Sequence, residues 1–324
     1  MAAVIKAIDY YLPENICTND ELAKIHPQWP MDKIVSKIGI TSRRYASDDE
    51  FSIELGIKAA KQLLNHHDID PDCIDFILFC TQTPKFLSPT NACVIQEALG
   101  LSQQVGALDI NQGCSGYVYS LMLAESLVMQ RRAINVLLIT ADTYTRYVDK
   151  NDHCLLPIFG EGASASLITY EEGEHGIQGF EYGTNGAEAE KIIAANTGIK
   201  GLTSGQAYKP DLFMNGPAVF NFALEVVPKL VKKLLDNVQL KQENIDHFIF
   251  HQANAYMLEH IRERMNIPEE RFIVNVREIG NTTSSSIPIA LHGALKEKRI
   301  KKGDKVIFVA FGVGLSWAAC LVQM

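Results

Sequence analysis

The chain has 324 residues, 47% of them hydrophobic and 21% charged, with a formal net charge of −8. That composition excludes a disordered or fibrous chain and is long enough for two domain-sized cores. The acidic balance, with no basic stripe carrying interleaved aromatics, speaks against nucleic acid as a partner.

The longest apolar stretches, such as "CIDFILFC" and "KVIFVAFGVGL", are too short to cross a bilayer. The opening "MAAVIKAIDYYLPEN" is interrupted by Lys6 and Asp9, so neither a signal peptide nor a membrane association is expected, and a cytoplasmic location is. Seven cysteines occur without any CxxC or CxxH pair, which suggests neither a disulfide framework nor a metal site. Cys73, Cys80, Cys93, Cys154 and Cys320 lie in or beside apolar runs and read as small buried hydrophobes.

In chain order, "SIELGIKAAKQLLNHH" (52–67) predicts a helix and "IDFILFC" (74–80) a strand buried on both faces. Then come a helix at 92–101, a strand at 105–111, a Gly-Cys turn, a helix at 117–133 and a strand at 135–143. The order recurs: a helix at 217–237, the strand "IDHFIFH" (245–251), a helix at 255–267 and a strand at 271–278. A Gly-Asn turn, a helix at 287–299 and the strand "KVIFVAFG" (305–312) complete it. Such alternation predicts an α/β fold of mostly parallel sheets covered by helices. The expected organisation is two related halves, 1–170 and 171–324, stacked as a five-layered pseudo-dimer, with the break in the Gly- and acid-rich segment 171–210.

Three residues occupy corresponding turns. Cys114 stands 40 residues beyond Ile74, and Asn281 stands 36 beyond Ile245, each after a glycine at a strand-to-helix turn. His251 ends the first strand of the second half, where open α/β sheets carry their sites. A helix N-terminus should lower the thiol pKa of Cys114. Each residue also has a plainer reading: a buried thiol, a satisfied core histidine, an N-cap asparagine. Together a thiol, an imidazole and an amide permit two chemistries. In one, Cys114 forms a thioester while His251 and Asn281 donate to a second thioester and stabilise its enolate. In the other, a thiol hydrolase, Asn281 orients His251 as a general base.

"GCSGYVYSL", "FHQANAYML", "GNTTSSSIPIAL" and "VAFGVGLSWAACLV" resemble four blocks of the β-ketoacyl-acyl-carrier-protein synthase III family of the thiolase superfamily. "SKIGITSRRYA" and "IFGEGASASLI" resemble two more, and the likeness runs the length of the chain. The resemblance implies a thiolase-like αβαβα fold and a decarboxylative condensation of a Cys114-bound acyl group with a malonyl thioester. Under it His251 and Asn281 hold the malonyl thioester oxygen, and the backbone N–H groups of Cys114 and Val313 hold the later oxyanion. It implies a phosphate contact at Lys37, tunnel contacts at Phe159, Gly216, Phe220, Ala253 and Asn254, no metal or redox cofactor, acyl-carrier protein as partner, an acyl-CoA or acyl-carrier-protein donor, and a homodimer.

Departures from the family pattern concern the donor and the primer. Where the family's adenine-stacking tryptophan and arginine are expected, counting gives Lys33 and His153. The phenylalanine that closes the family's acyl pocket across the dimer is Ser88 here, although Phe86 or Leu87 could refill the space. A basic residue expected after the HQAN block is Tyr256, with Arg262 and Arg264 following. These departures suggest a primer longer than acetyl, in a specialised lipid or secondary pathway. An acyltransferase or thioester hydrolase on the same fold, housekeeping initiation from acetyl-CoA, and a non-catalytic partner subunit are the competing readings; the presence of Cys114, His251 and Asn281 weighs against the last.

Overall fold

The computed structural model describes residues 2–173, 175–203 and 211–324. Two five-stranded sheets carry the chain. The first holds β1 (Ala2–Tyr11), β2 (Phe76–Cys80), β3 (Gly106–Ile110), β4 (Asn135–Asp142) and β5 (Gly162–Glu171), in the order β1-β5-β4-β2-β3. The second holds β6 (Gly176–Thr184), β7 (His247–Phe250), β8 (Phe272–Ile273), β9 (Lys305–Gly312) and β10 (Ser316–Gln323), in the order β6-β10-β9-β7-β8. The two orders are the same.

Within each sheet the pairing is half parallel and half antiparallel. β4-β2-β3 and β9-β7-β8 run parallel, whereas β1-β5-β4 and β6-β10-β9 run antiparallel. The expectation of mostly parallel sheets is corrected by these outer strands. β5, "GASASLITYE", is rich in Ala and Ser and carries no β-branched run to announce it.

Alternating side chains of the parallel strands feed different layers. Ile77 and Phe79 pack with Ile53, Leu55, Leu63 and Ile95 of α1 (Ser52–His66) and α2 (Asn91–Ala98). Leu78 turns the other way, into a middle layer with Tyr117, Val118 and Leu121 of α3 (Gly116–Met129). From the second sheet, Ile249 and Phe308 enter that same layer beside Ile287 and Leu291 of α6 (Ser286–Lys296). Phe248, Phe250, Ile307 and Val309 face outward onto α4 (Gly216–Asn237) and α5 (Ala255–Arg264). The result is five layers, helix-sheet-helix-sheet-helix. Being covered on both faces is what made these strands read as unbroken apolar runs.

One expected strand is shorter than its sequence. Of 271–278 only Phe272 and Ile273 pair with β7, and a 3-10 turn follows at Val276–Glu278. The Gln252 side-chain oxygen takes the Asn275 N–H at 2.7 Å, so that donor is withdrawn from any ladder. Two excursions flank the site's mouth: the segment of helices Asn19–Ile25 and Met31–Ile38, and the small strand pair Ile192–Ala194 and Leu212–Met214.

Candidate active site

The carboxyl ends of β2, β4, β7 and β9 meet the N-termini of α3 and α6, and a cavity of ≈ 50 Å³ lies where they converge. Cys114, His251, Asn281, Phe159, Ala253, Asn254 and Val313 all line it. Lys37, Gly216, Phe220 and Ser88 do not. Lys37 is exposed on the helix Met31–Ile38, and Ser88 on the loop after β2. Gly216 starts α4 in open space, where a methyl group would touch nothing. Phe220 packs instead on Tyr256 and His260, with ring centroids 5.9 and 5.6 Å away. Asn254 also caps α5, accepting from Met257 N at 2.8 Å.

Cys114 occupies the turn between β3 and α3 and is 8% exposed. Gly312, at the end of β9 with φ +156°, lies against it: a Cβ there would stand 2.7 Å from the Cys114 Cβ and 2.8 Å from Sγ. Only glycine lets the strand end come this close. The N–H groups of Val313 and of Cys114 itself are directed at the sulfur. Their influence is overruled. Burial pushes the Cys114 thiol up to about 12, and the Asp142 carboxylate adds to the rise. The expectation that the helix start would lower this pKa is therefore corrected: α3 begins only at Gly116, and desolvation outweighs its dipole.

His251 is 1% exposed, at the end of β7. Its Nδ1 lies 2.8 Å from Ser286 Oγ, which also accepts the Gln252 N–H at 3.3 Å. Ser286 Oγ thus holds the ring at Nδ1, and the Thr283 backbone is a further hydrogen-bond partner of the imidazole. Burial holds the imidazole down at about 3, so it stays neutral at physiological pH. Asn281 Oδ1 accepts from Thr283 N at 2.9 Å, which leaves its NH₂ as the group facing the cavity. Among the described residues His251 and Asn281 share no hydrogen bond. The imidazole is held by Ser286 and not by Asn281, so Asn281 does not orient it as the third member of a hydrolase triad would.

The two halves are stitched together at this point. Asn281 N donates to Ile158 O at 2.9 Å, and Gly160 N donates to Asn281 O at 3.1 Å. Asp142, fully buried at the end of β4, accepts from Gln82 N at 2.8 Å and Thr81 Oγ1 at 3.2 Å. It also accepts from Ser284 Oγ of the second half at 2.6 Å. Burial pushes this carboxyl up to about 6 against those hydrogen bonds.

Sequence reading missed Tyr144, Met214, Val219, Met257 and Phe311, which also line the cavity. Their residue types signal a core, and only the fold brings them to the thiol. It also missed Trp29. Lys33 and His153 are exposed, but Trp29 faces His153 with ring centroids 6.3 Å apart. The other face of Trp29 is covered by His26, stacked at 3.9 Å and 4°. The basic residues of the second half are mostly paired: Lys229 with Glu225, Lys232 with Asp236, Lys233 with Glu181, and Arg262 with Glu259. Arg264 is exposed on the last turn of α5. Among the described residues no helix is long and apolar enough to cross a membrane, and no His, Cys, Asp or Glu cluster is placed to hold a metal ion.

A buried cysteine that shares one cavity with a histidine and an asparagine, on a five-layered α/β frame, fits an acyltransferase of the condensing class. Residues 108–186 match the family described as 3-oxoacyl-[acyl-carrier-protein] synthase III, and residues 235–324 match its C-terminal part. A β-ketoacyl-[acyl-carrier-protein] synthase III of Halalkalibacterium halodurans is 35% identical, over 99% of this chain and 96% of its own length. A solved 3-oxoacyl-(acyl-carrier-protein) synthase III is 40% identical with a TM-score of 0.94, each chain covered in full. The Thermus thermophilus enzyme is 34% identical with a TM-score of 0.92, with 99% of each chain covered. The chain belongs to the 3-oxoacyl-[acyl-carrier-protein] synthase III family and is a condensing acyltransferase.

Proposed function

We propose that Cys114 accepts an acyl group longer than acetyl and condenses it with a malonyl thioester carried by acyl-carrier protein. The observation that carries this reading is that the His251 imidazole and the Asn281 amide line one cavity with the thiol, the amide oxygen being already engaged by Thr283 N. In the first step the sulfur attacks the donor thioester carbonyl, the C–S bond to the donor breaks, and the Cys114 proton passes to the departing donor sulfur, which leaves as the thiol. Burial disfavours a free thiolate, which favours proton loss in the same step as attack.

In the second step the malonyl C–C bond breaks, carbon dioxide leaves, and the electron pair moves into the thioester. The resulting enolate oxygen accepts from His251 and Asn281. A neutral imidazole suits this role, because it donates without protonating the enolate. The enolate carbon then attacks the acyl-cysteine, the N–H groups of Val313 and Cys114 hold the oxyanion, and collapse expels the Cys114 thiolate and a 3-oxoacyl thioester. Loss of carbon dioxide drives the sequence, so no metal or redox cofactor is required.

The longer primer is supported by Ser88, a small residue on an exposed loop that a second subunit can reach. A homodimer through the open edge of β3 is supported by exposed Leu108 on that edge and by Leu87, Leu123 and Ile134, apolar residues also exposed on the first half. A donor carried by protein in preference to coenzyme A is supported by the loss of the stacking pair. Trp29 has one face covered by His26, and Lys33 offers no ring. Arg264, exposed on the last turn of α5, supports carrier-protein docking at this face. Release of carbon dioxide from malonyl-acyl-carrier protein, measured with a panel of acyl donors on both carriers, tests the reading. Strict dependence on acetyl-CoA would overturn the primer and donor assignment, and release of free fatty acid without carbon dioxide would overturn condensation.

A further inference from the structure

We infer that the hydrogen-bonded pair Tyr144–Gln82 is the end wall of the primer chamber and sets the longest acyl group that Cys114 can carry; the inference rests on the condensing role proposed above. Tyr144 lines the cavity with Cys114, and its hydroxyl donates to Gln82 Oε1 at 2.9 Å. Gln82 in turn lies directly over the residue before the nucleophile. A Cβ on Gly113 would stand 2.3 Å from Gln82 Oε1 and 3.0 Å from its Cδ. The phenol therefore spans from Phe159, at a ring distance of 5.2 Å, to the backbone beside Cys114. An acyl chain growing from the sulfur in this direction meets a closed surface.

The wall is built and not merely occupied by a loose side chain. The Gln82 backbone is pinned on both sides: its N–H donates to Asp142 at 2.8 Å, and its carbonyl accepts from the Tyr147 hydroxyl at 2.9 Å. Tyr144 is 3% exposed, and its ring is packed edge-on to Tyr147 at 5.7 Å. Burial keeps the phenol protonated, so it remains a donor. Since amide and hydroxyl satisfy each other, the face turned to the acyl group is ring carbon. The surface that Tyr144 turns toward the thiol is therefore apolar and closed.

A short-chain primer of about butyryl size fits both this wall and a primer longer than acetyl. The experiment is intact-protein mass spectrometry of the acyl-enzyme, formed separately from acetyl, butyryl, hexanoyl and octanoyl thioesters. Initial acylation rates are compared between wild type, Tyr144→Leu and Gln82→Ser. The wild type should acylate fastest with the short donors. Tyr144→Leu should raise the octanoyl-to-butyryl rate ratio by at least about tenfold, as expected for removal of steric exclusion from a closed pocket. Gln82→Ser, which removes the bulk of the side chain behind the ring, should move the ratio the same way by less. Unchanged ratios in both variants would overturn the wall. Tyr144→Phe is the structural control, because it keeps the ring and should keep the profile; a shifted profile in this variant would likewise overturn a steric wall. Acylation is read without malonyl thioester. If carbon dioxide release fails while acylation proceeds, the condensing role falls and the wall is still judged.

Discussion

Thr81–Gln82 and His251–Gln252 are equivalent turns. Each follows the fourth strand of an identically ordered sheet, β2 in one and β7 in the other. Each glutamine is pinned by its neighbours, Gln82 through Asp142 and Tyr144, Gln252 through Ser286 and Asn275. Their tasks have diverged. The first turn carries threonine, presents no N–H donor to the reacting centre, and supports the chamber wall. The second carries histidine and presents one. Under the proposed function the nucleophile comes from the half whose turn is inert, and both thioester donors come from the other half. That reading divides a shared frame into a side that holds the primer and a side that activates the extender.

The largest effect should come from breaking the primer side. Cys114→Ala removes the only group at the site able to form the thioester, and condensation should fall by on the order of 10³-fold or more. Decarboxylation of malonyl thioester should persist in this variant, because its donors are untouched. Parallel assays of carbon dioxide and 3-oxoacyl product would show the division; equal loss of both would contradict it.

The extender side should fail in the opposite sense. His251→Ala and Asn281→Ala each delete one preorganised donor, an effect of roughly 10²–10³-fold on decarboxylation. Cys114 should still be acylated at near wild-type rate by mass spectrometry. The double variant should lose less than the product of the single losses if both donors act on one oxygen.

A smaller loss is expected where the two sides touch. Gly312→Ala would place a methyl 2.7 Å from Cys114 Cβ at a φ that disfavours any side chain. Displacement of the thiol should slow acylation about tenfold and destabilise the fold by about 1–3 kcal/mol, readable by denaturant unfolding.

Much of this division is legible in the sequence, and what is hidden has physical reasons. β2, β7 and β9 are continuous apolar runs because both faces are covered, so they and the turns after them could be placed from residues alone. The convergence of Cys114, His251 and Asn281 was readable because each sits at a glycine-marked turn or a strand end. The outer antiparallel strands were not readable. β5 is built of Ala and Ser that fit the tight middle layer, where Ser164 and Thr140 bond each other at 2.8 Å. The thiol pKa was misjudged because a helix start is visible in sequence and desolvation is not. Trp29 was passed over because counting from Gly39 assumes a fixed helix register, and its covering by His26 is a tertiary fact.

The smallest predicted effect concerns pH and separates the two turns by their buried titratable groups. His251 has its pKa depressed from 6.5 to about 3, so its folded form binds fewer protons than the unfolded chain between those values. The stability linked to it is present above 6.5 and is lost as pH falls toward 3. Asp142 has its pKa raised from 3.8 to about 6, so its contribution is present below 3.8 and is lost as pH rises through 6. The two oppose each other over the same window, and the larger histidine shift should leave a net loss on acidification. His251→Gln removes one arm of the balance. Its Tm should decline less than wild type between pH 6.5 and 4, by a difference on the order of a few degrees. Asp142→Asn removes the other arm, along with an acceptor that Ser284 and Gln82 need, so its Tm should be lower at every pH but should fall more steeply toward acid. Parallel Tm curves for all three proteins would mean that neither group titrates as its burial requires, and the contrast between the two turns would then be one of shape alone.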